Sequence, residues 1–146
     1  MTREDETLLK AIIDTNVMIS ALYSKRGMAF ELLQKLYNDE FKIVISVPMV
    51  FEYESLLIKK HVPDRYTTEE IEGFVDSICS IAEHQNIYYL WRPFLNDAYD
   101  DHVLELALAS GCNYIVTYNV KDFKTAESLG IKAVTPYDFI QILEGT

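Results

Sequence analysis

Acidic residues recur in this chain beside the ends of apolar runs. Asp14 follows Ala11-Ile12-Ile13 and is followed by Thr15-Asn16 and a second apolar stretch. That order puts a carboxylate at the carboxyl end of a buried strand, where open α/β sheets bind their ligands. A charge in such a place is costly unless it is paired, hydrogen-bonded or used on a metal. Glu52 lies in Val47-Pro48-Met49-Val50-Phe51-Glu52-Tyr53-Glu54, near the start of a helix that follows another apolar run. Asp100 and Asp101 open the stretch Asp-Asp-His-Val-Leu-Glu-Leu-Ala, and Thr117-Tyr118-Asn119 follows a further apolar run, with Asp122 just beyond. Carboxylate, amide and hydroxyl oxygens gathered at one sheet edge suit a hard divalent cation, Mg2+ or Mn2+.

Each of these residues also has an ordinary structural role. Asp14 would serve as a helix N-cap, as Asp, Thr and Asn all do. Thr15 or Asn16 is able to cap alone, which leaves Asp14 for another task. Glu52 taken singly reads as a helix glutamate on a solvated face, and Glu54 falls on a different face. Its weight comes from the company it keeps. The helix dipole favours acids in a first turn, which accounts for Asp100 and Asp101 without any chemistry. Asn119 and Asp122 are common turn residues. The basic groups are small: Lys25-Arg26, Lys59-Lys60-His61 with Arg65, and Lys121 with Lys124. Most read as solvated faces, while Lys25, Arg26 and Lys121 lie close to the acidic segments and are the substrate-binding candidates.

The elements that must position these groups are legible from periodicity. Residues 1–9 read as a flexible tail and 10–146 as one domain. Strands are expected at 10–14, Phe41–Ser46, Asn86–Leu90, Tyr114–Thr117 and Ile131–Val134. Helices are expected at Asn16–Tyr23, Gly27–Asn38, from Pro48 to about Lys60, from Thr67 to about Ile81, Asp97–Ser110, Phe123–Leu129 and from Pro136 onward. Thr67-Thr68-Glu69-Glu70 has the form of a capping box. Gly111 and Gly130 stand where helix C-caps want them, and Thr135-Pro136 is a cap followed by proline in the first turn. Strands alternating with helices over short links predict a parallel sheet covered on both faces. The two helices between the second and third strands are expected to form a small arm.

Composition narrows the function classes. The net charge of −10 argues against a broad cationic surface for nucleic acid. It leaves open a nucleic-acid substrate that meets an acidic pocket through a divalent ion. No apolar run is long enough to span a membrane. Cys79 and Cys112 are too few for a disulfide framework or a thiolate metal site, so a reducing, cytoplasmic setting is expected. His61, His84 and His102 show no metal-ligand spacing.

Four motifs stand in register over residues 10–143: Ile-Ile-Asp-Thr-Asn-Val, a glutamate one turn beyond Val-Pro, Asp-Asp-His-Val-Leu-Glu-Leu-Ala with Gly-Cys-Asn-Tyr-Ile-Val-Thr, and Tyr-Asn-Val-Lys-Asp-Phe. Together they resemble a PIN domain, most closely those of toxin–antitoxin systems. The resemblance implies a three-layer α/β/α sandwich with a central parallel sheet of about five strands, and a Mg2+- or Mn2+-dependent endoribonuclease using one or two ions. It implies Asp14, Glu52 and Asp100 as the core acidic ligands. Asp100 is preferred to Asp101 because the family's aspartate precedes its alanine and glycine as Asp100 precedes Ala107 and Gly111. Thr15, Asn16, Asp101 and Thr117 take supporting roles. The family often carries a fourth acid where this chain has Asn119, which removes one charge and leaves Asp122 as a substitute. RNA as substrate, a small antitoxin protein and a second copy of the chain are the partners implied. The alternative is a PIN-like module that binds RNA or protein without cutting.

Overall fold

The computed structural model describes residues 8–59, 65–86 and 98–145, the side chains of 98–101 excepted. Five strands form a parallel sheet: β1 (Lys10–Ile13), β2 (Lys42–Ile45), β3 (Glu83–His84), β4 (Tyr114–Val116) and β5 (Lys132–Val134), in the spatial order β3-β2-β1-β4-β5. Ala11, Ile12, Ile13, Ile43, Val44, Ile45, Ile115 and Val116 are all fully buried. That is why the inner strands read as unbroken apolar runs rather than as alternating ones.

The helices are α1 (Thr15–Tyr23), α2 (Met28–Tyr37), α3 (Val47–Lys59), α4 (Thr68–Ile81), α5 (Ala98–Ser110) and α6 (Pro136–Glu144), with a 3₁₀ run over Val120–Leu129. Right-handed crossovers, nearly universal between parallel strands, place α1 to α4 on one face and α5 with the 3₁₀ run on the other. The packing agrees. On one face α1 touches α2 and α3, α3 touches α4, and α2 touches α6; α5 packs on β1, β2, β4 and the 3₁₀ run. The α/β/α sandwich expected from the sequence is therefore present.

Local signals hold at most boundaries. In the capping box, Thr67 Oγ1 accepts from the Glu70 N–H at 3.1 Å and Glu70 Oε1 accepts from the Thr67 N–H at 2.9 Å. Gly111 and Gly130 take φ of 71° and 82°, which a side chain would resist. Three expectations need correction. The helix over Phe123–Leu129 is a 3₁₀ run that begins earlier, at Val120. The arm does not project: Tyr53 and Leu57 of α3 and Ile71, Val75 and Ile78 of α4 join the same core as the strands. The third strand is Glu83–His84, ahead of the expected 86–90; Asn86 lies outside it, and 87–90 fall outside the described residues. An edge strand needs backbone pairing but little apolar side chain, so composition misplaced it. Its ladder with Val44 and Ile45 continues in the Gln85 N–H bond to the Ile45 carbonyl, 2.9 Å.

Phe139 of α6 closes the core over β4. Its ring meets Phe41 at 5.1 Å and Tyr114 at 5.5 Å, both edge-to-face. Phe139→Ala should cost about 3–5 kcal/mol, the usual range for emptying a buried aromatic site. The check is the urea unfolding midpoint at unchanged slope; a midpoint equal to the parent's would contradict this packing.

Candidate functional site

The site begins with strand register. Ile13 of β1 pairs with Val116 of β4, so the residues just past each strand, Asp14 and Thr117, come side by side. The Asp14 N–H extends the ladder to the Val116 carbonyl at 2.8 Å, and the Thr117 N–H does the same to Val134, also 2.8 Å. The sheet order makes this a topological switch point. The chain leaves β1 toward β2 and β3, then returns past β1 to β4, and ligands of open α/β sheets bind in the crevice so created.

Asp14 is 4% exposed and Thr117 fully buried. Asp14 Oδ1 accepts from the Thr15 N–H at 2.8 Å, and Oδ2 accepts from the Thr117 hydroxyl at 2.7 Å. The Thr117 oxygen in turn accepts from the Asn119 N–H at 2.9 Å. An amide can only donate, so the threonine proton is directed at the carboxylate. Asp14 is also the N-cap of α1. The expectation that Thr15 or Asn16 would cap in its place is therefore corrected: the helix starts at Thr15, and Asp14 caps it while also taking the Thr117 hydroxyl. One side chain does both because its two oxygens point to different donors.

Glu52 is half-buried on α3. Its neighbour Tyr53 is buried at 1% exposure and donates its hydroxyl to the Ile13 carbonyl at 2.5 Å. This bond ties the helix of Glu52 to the strand end that bears Asp14. Ser46, just past β2, accepts the Met49 N–H at 3.3 Å and so helps start that helix in place. Sequence reasoning missed Tyr53; the available signal was a hydroxyl-bearing side chain on the apolar stripe next to a candidate acid.

Asn16 accepts the Tyr118 N–H on its side-chain oxygen at 3.5 Å, linking α1 to the loop after β4. Asn119 is exposed at the head of the 3₁₀ run, and the exposed Asp122 bonds back to the Asn119 carbonyl at 3.0 Å through its N–H. Lys121 and Lys124 line a cleft of about 240 Å³ with Val120, Phe123, Glu127 and Ala133. Lys25 and Arg26 are exposed beyond the far end of α1, roughly 13 Å along its axis from Asp14 by helix rise. The fold thus gathers Asp14, Thr15, Asn16, Thr117 and Asn119 tightly and leaves Lys25 and Arg26 apart. Asp100 and Asp101 fall in the first turn of α5, and their side chains lie outside the described residues. Among the described residues no group of three His, Cys, Asp or Glu is clustered as a metal site.

Both thiols are shifted away from the reactive thiolate. Cys112 is buried, and burial pushes its thiol up to about 11, so the reactive thiolate is scarce near neutral pH. Cys79 is shifted upward too, first by burial and then by Asp76 and Glu54.

A family model described as a PIN domain matches residues 10–121. No curated protein matches the chain. Among solved structures the fold is similar to a chain of VapBC2 from Rickettsia felis, a complex bound to a DNA fragment from its promoter. The TM-score is 0.60 at 17% identity, over 87% of this chain and 98% of that one.

Thr117→Val keeps the side-chain shape and removes the donor to Asp14. It should lower stability by about 1–3 kcal/mol, the cost of depriving buried polar groups of a bond, while Thr117→Ser stays near the parent. Unfolding midpoints for the three proteins decide it: equal midpoints for Val and parent would show that the hydroxyl does not hold the carboxylate.

Proposed function

The chain belongs to the PIN-domain family, and we propose that it is a divalent-metal-dependent ribonuclease, hydrolysing RNA phosphodiester bonds as the toxin of a toxin–antitoxin pair. The observation that carries this reading is the Asp14 carboxylate, buried at the switch point and fixed through both oxygens. The likeness of fold to a VapBC2 chain supports the toxin–antitoxin setting.

The carboxylate oxygens of Asp14 and Glu52 are the donor chemistry that a hard cation takes. Mg2+ or Mn2+, when bound, would polarise the phosphate and lower the pKa of a water. Asp14, Glu52 and Asp100 would hold it, with Asn119 as a neutral oxygen donor where relatives often have an acid and Asp122 as the nearby substitute. The rest falls to the protein's own groups. Thr117 and the Thr15 N–H keep Asp14 in a single orientation, so no reorganisation is needed as charge develops. Tyr53 holds the Glu52 helix against the same strand end. Asn16 would support this arrangement from α1, and Asp101 is the supporting residue that the family resemblance implies. Hydrolysis adds water across the phosphodiester: a P–O bond forms to the water oxygen, the bridging oxygen leaves, and the water proton ends on the leaving group.

A chain with net charge −10 needs local cations to receive RNA. Lys121 and Lys124, which line a cleft just past Asn119 in sequence, would take that role, with Lys25 and Arg26 as the other candidates. The antitoxin would cover the acidic crevice. A homodimer would close over Phe51 and Val47, one turn apart on α3 and 69% and 64% exposed.

Two experiments follow. Cleavage of a mixed RNA pool should require Mn2+ or Mg2+, stop in EDTA, and vanish in Asp14→Asn with the fold retained by circular dichroism. Thr117→Val should lose about 10–100-fold in activity, as outer-shell changes do. Full metal-dependent cutting by Asp14→Asn would sink the assignment, and no cutting by folded, metal-loaded parent would favour a binding module. Phe51→Glu should convert a sedimenting dimer to monomer; a parent that is already monomeric would remove the dimer.

A further inference from the structure

Thr117 and Asn119 both belong to the hydrogen-bond chain that ends on Asp14. Tyr118, between them, is 46% exposed. Its hydroxyl lies 3.2 Å from Ser20 Oγ on α1, and its backbone N–H meets Asn16 at 3.5 Å. The side chain therefore bridges from the loop after β4 to α1, the helix that Asp14 caps. An ordinary surface tyrosine leaves its hydroxyl in water and samples several rotamers. This one has its hydroxyl against Ser20 and its backbone N–H toward Asn16, with nearly half its surface open. An aromatic surface ordered in advance loses little freedom when a ligand stacks on it.

We propose that Tyr118 is a stacking platform for a nucleobase of the bound RNA at the mouth of the site, a contact that positions the strand. The proposal rests on the reading of the chain as an RNA-binding nuclease. Every base offers a π-face, so stacking tolerates sequence, whereas a base inside a duplex has both faces already covered. From Tyr118 the chain runs directly into the 3₁₀ run whose Lys121 and Lys124 line the neighbouring cleft, where the backbone of a bound strand would find cations. Aromatic platform followed by cationic groove is the usual arrangement for single strands.

The test uses the full chain carrying Asp14→Asn, to prevent cleavage, and a short single-stranded RNA labelled with a fluorescent purine analogue. Tyr118→Ala should weaken binding by about 5- to 100-fold and abolish quenching of the analogue. Tyr118→Phe, which keeps the ring and loses only the Ser20 contact, should keep the quenching and most of the affinity. A blunt duplex of the same sequence should be indifferent to either change. Undiminished binding and quenching in Tyr118→Ala would overturn the proposal, as would a parent that binds no RNA. Cutting by the chain without Asp14→Asn is scored separately. If that chain cuts RNA while Tyr118→Ala binds normally, the platform fails and the nuclease stands. If RNA binds through Tyr118 and is never cut, the nuclease fails and the platform stands.

Discussion

A carboxylate at 4% exposure has to be held by something, and the organisation around Asp14 follows from how it is held. The Thr117 hydroxyl reaches it only because Ile13 and Val116 are register partners. That register depends on three-residue and four-residue strands buried on both sides, which in turn depend on helices covering both faces. A slip of the β1–β4 pairing by one residue would turn the side chains to the opposite face. The acid would lose its donor and the core would lose its packing together. Stability and the proposed chemistry are thus tied to one strand junction.

The second constraint is the placement of α3. A helix that follows a parallel strand by a short link is free to pivot about its first turn. Here two bonds restrict it: Ser46 to the Met49 N–H at its start, and Tyr53 to the Ile13 carbonyl one turn on. The second is the more telling. It joins α3 to a strand other than the one that precedes it, so Glu52 is carried by a helix referenced to the strand of Asp14. Burial of Tyr53 is affordable because its hydroxyl has this acceptor.

Much of this was legible in the residues. Buried parallel strands announce themselves as apolar runs, which is why β1, β2 and β4 fall where expected. Caps with a specific geometric demand, such as Thr67 with Glu70, Gly111 and Thr135 before Pro136, were readable for the same reason: each answers a local backbone requirement. What failed was whatever depended on distant partners. The polar pair Glu83–His84 is a strand only because Val44 and Ile45 offer it a ladder. Asp14 looked replaceable as a cap because sequence shows candidates and not directions. The contacts of Tyr53 and Tyr118 passed unnoticed because they depend on where an aromatic hydroxyl ends, and no spacing rule encodes that.

The bond between Thr117 and Asp14 spans 103 positions of sequence. Contacts that distant form only after the intervening chain has closed into a loop, and they are slow to arrive. On a ribosome, Asp14 emerges early and waits for β4, so a partly synthesised chain carries the acid without the hydroxyl that aims it. The crevice comes into being only after synthesis has passed Thr117. The first of its residues to be made is among the last to be set in place.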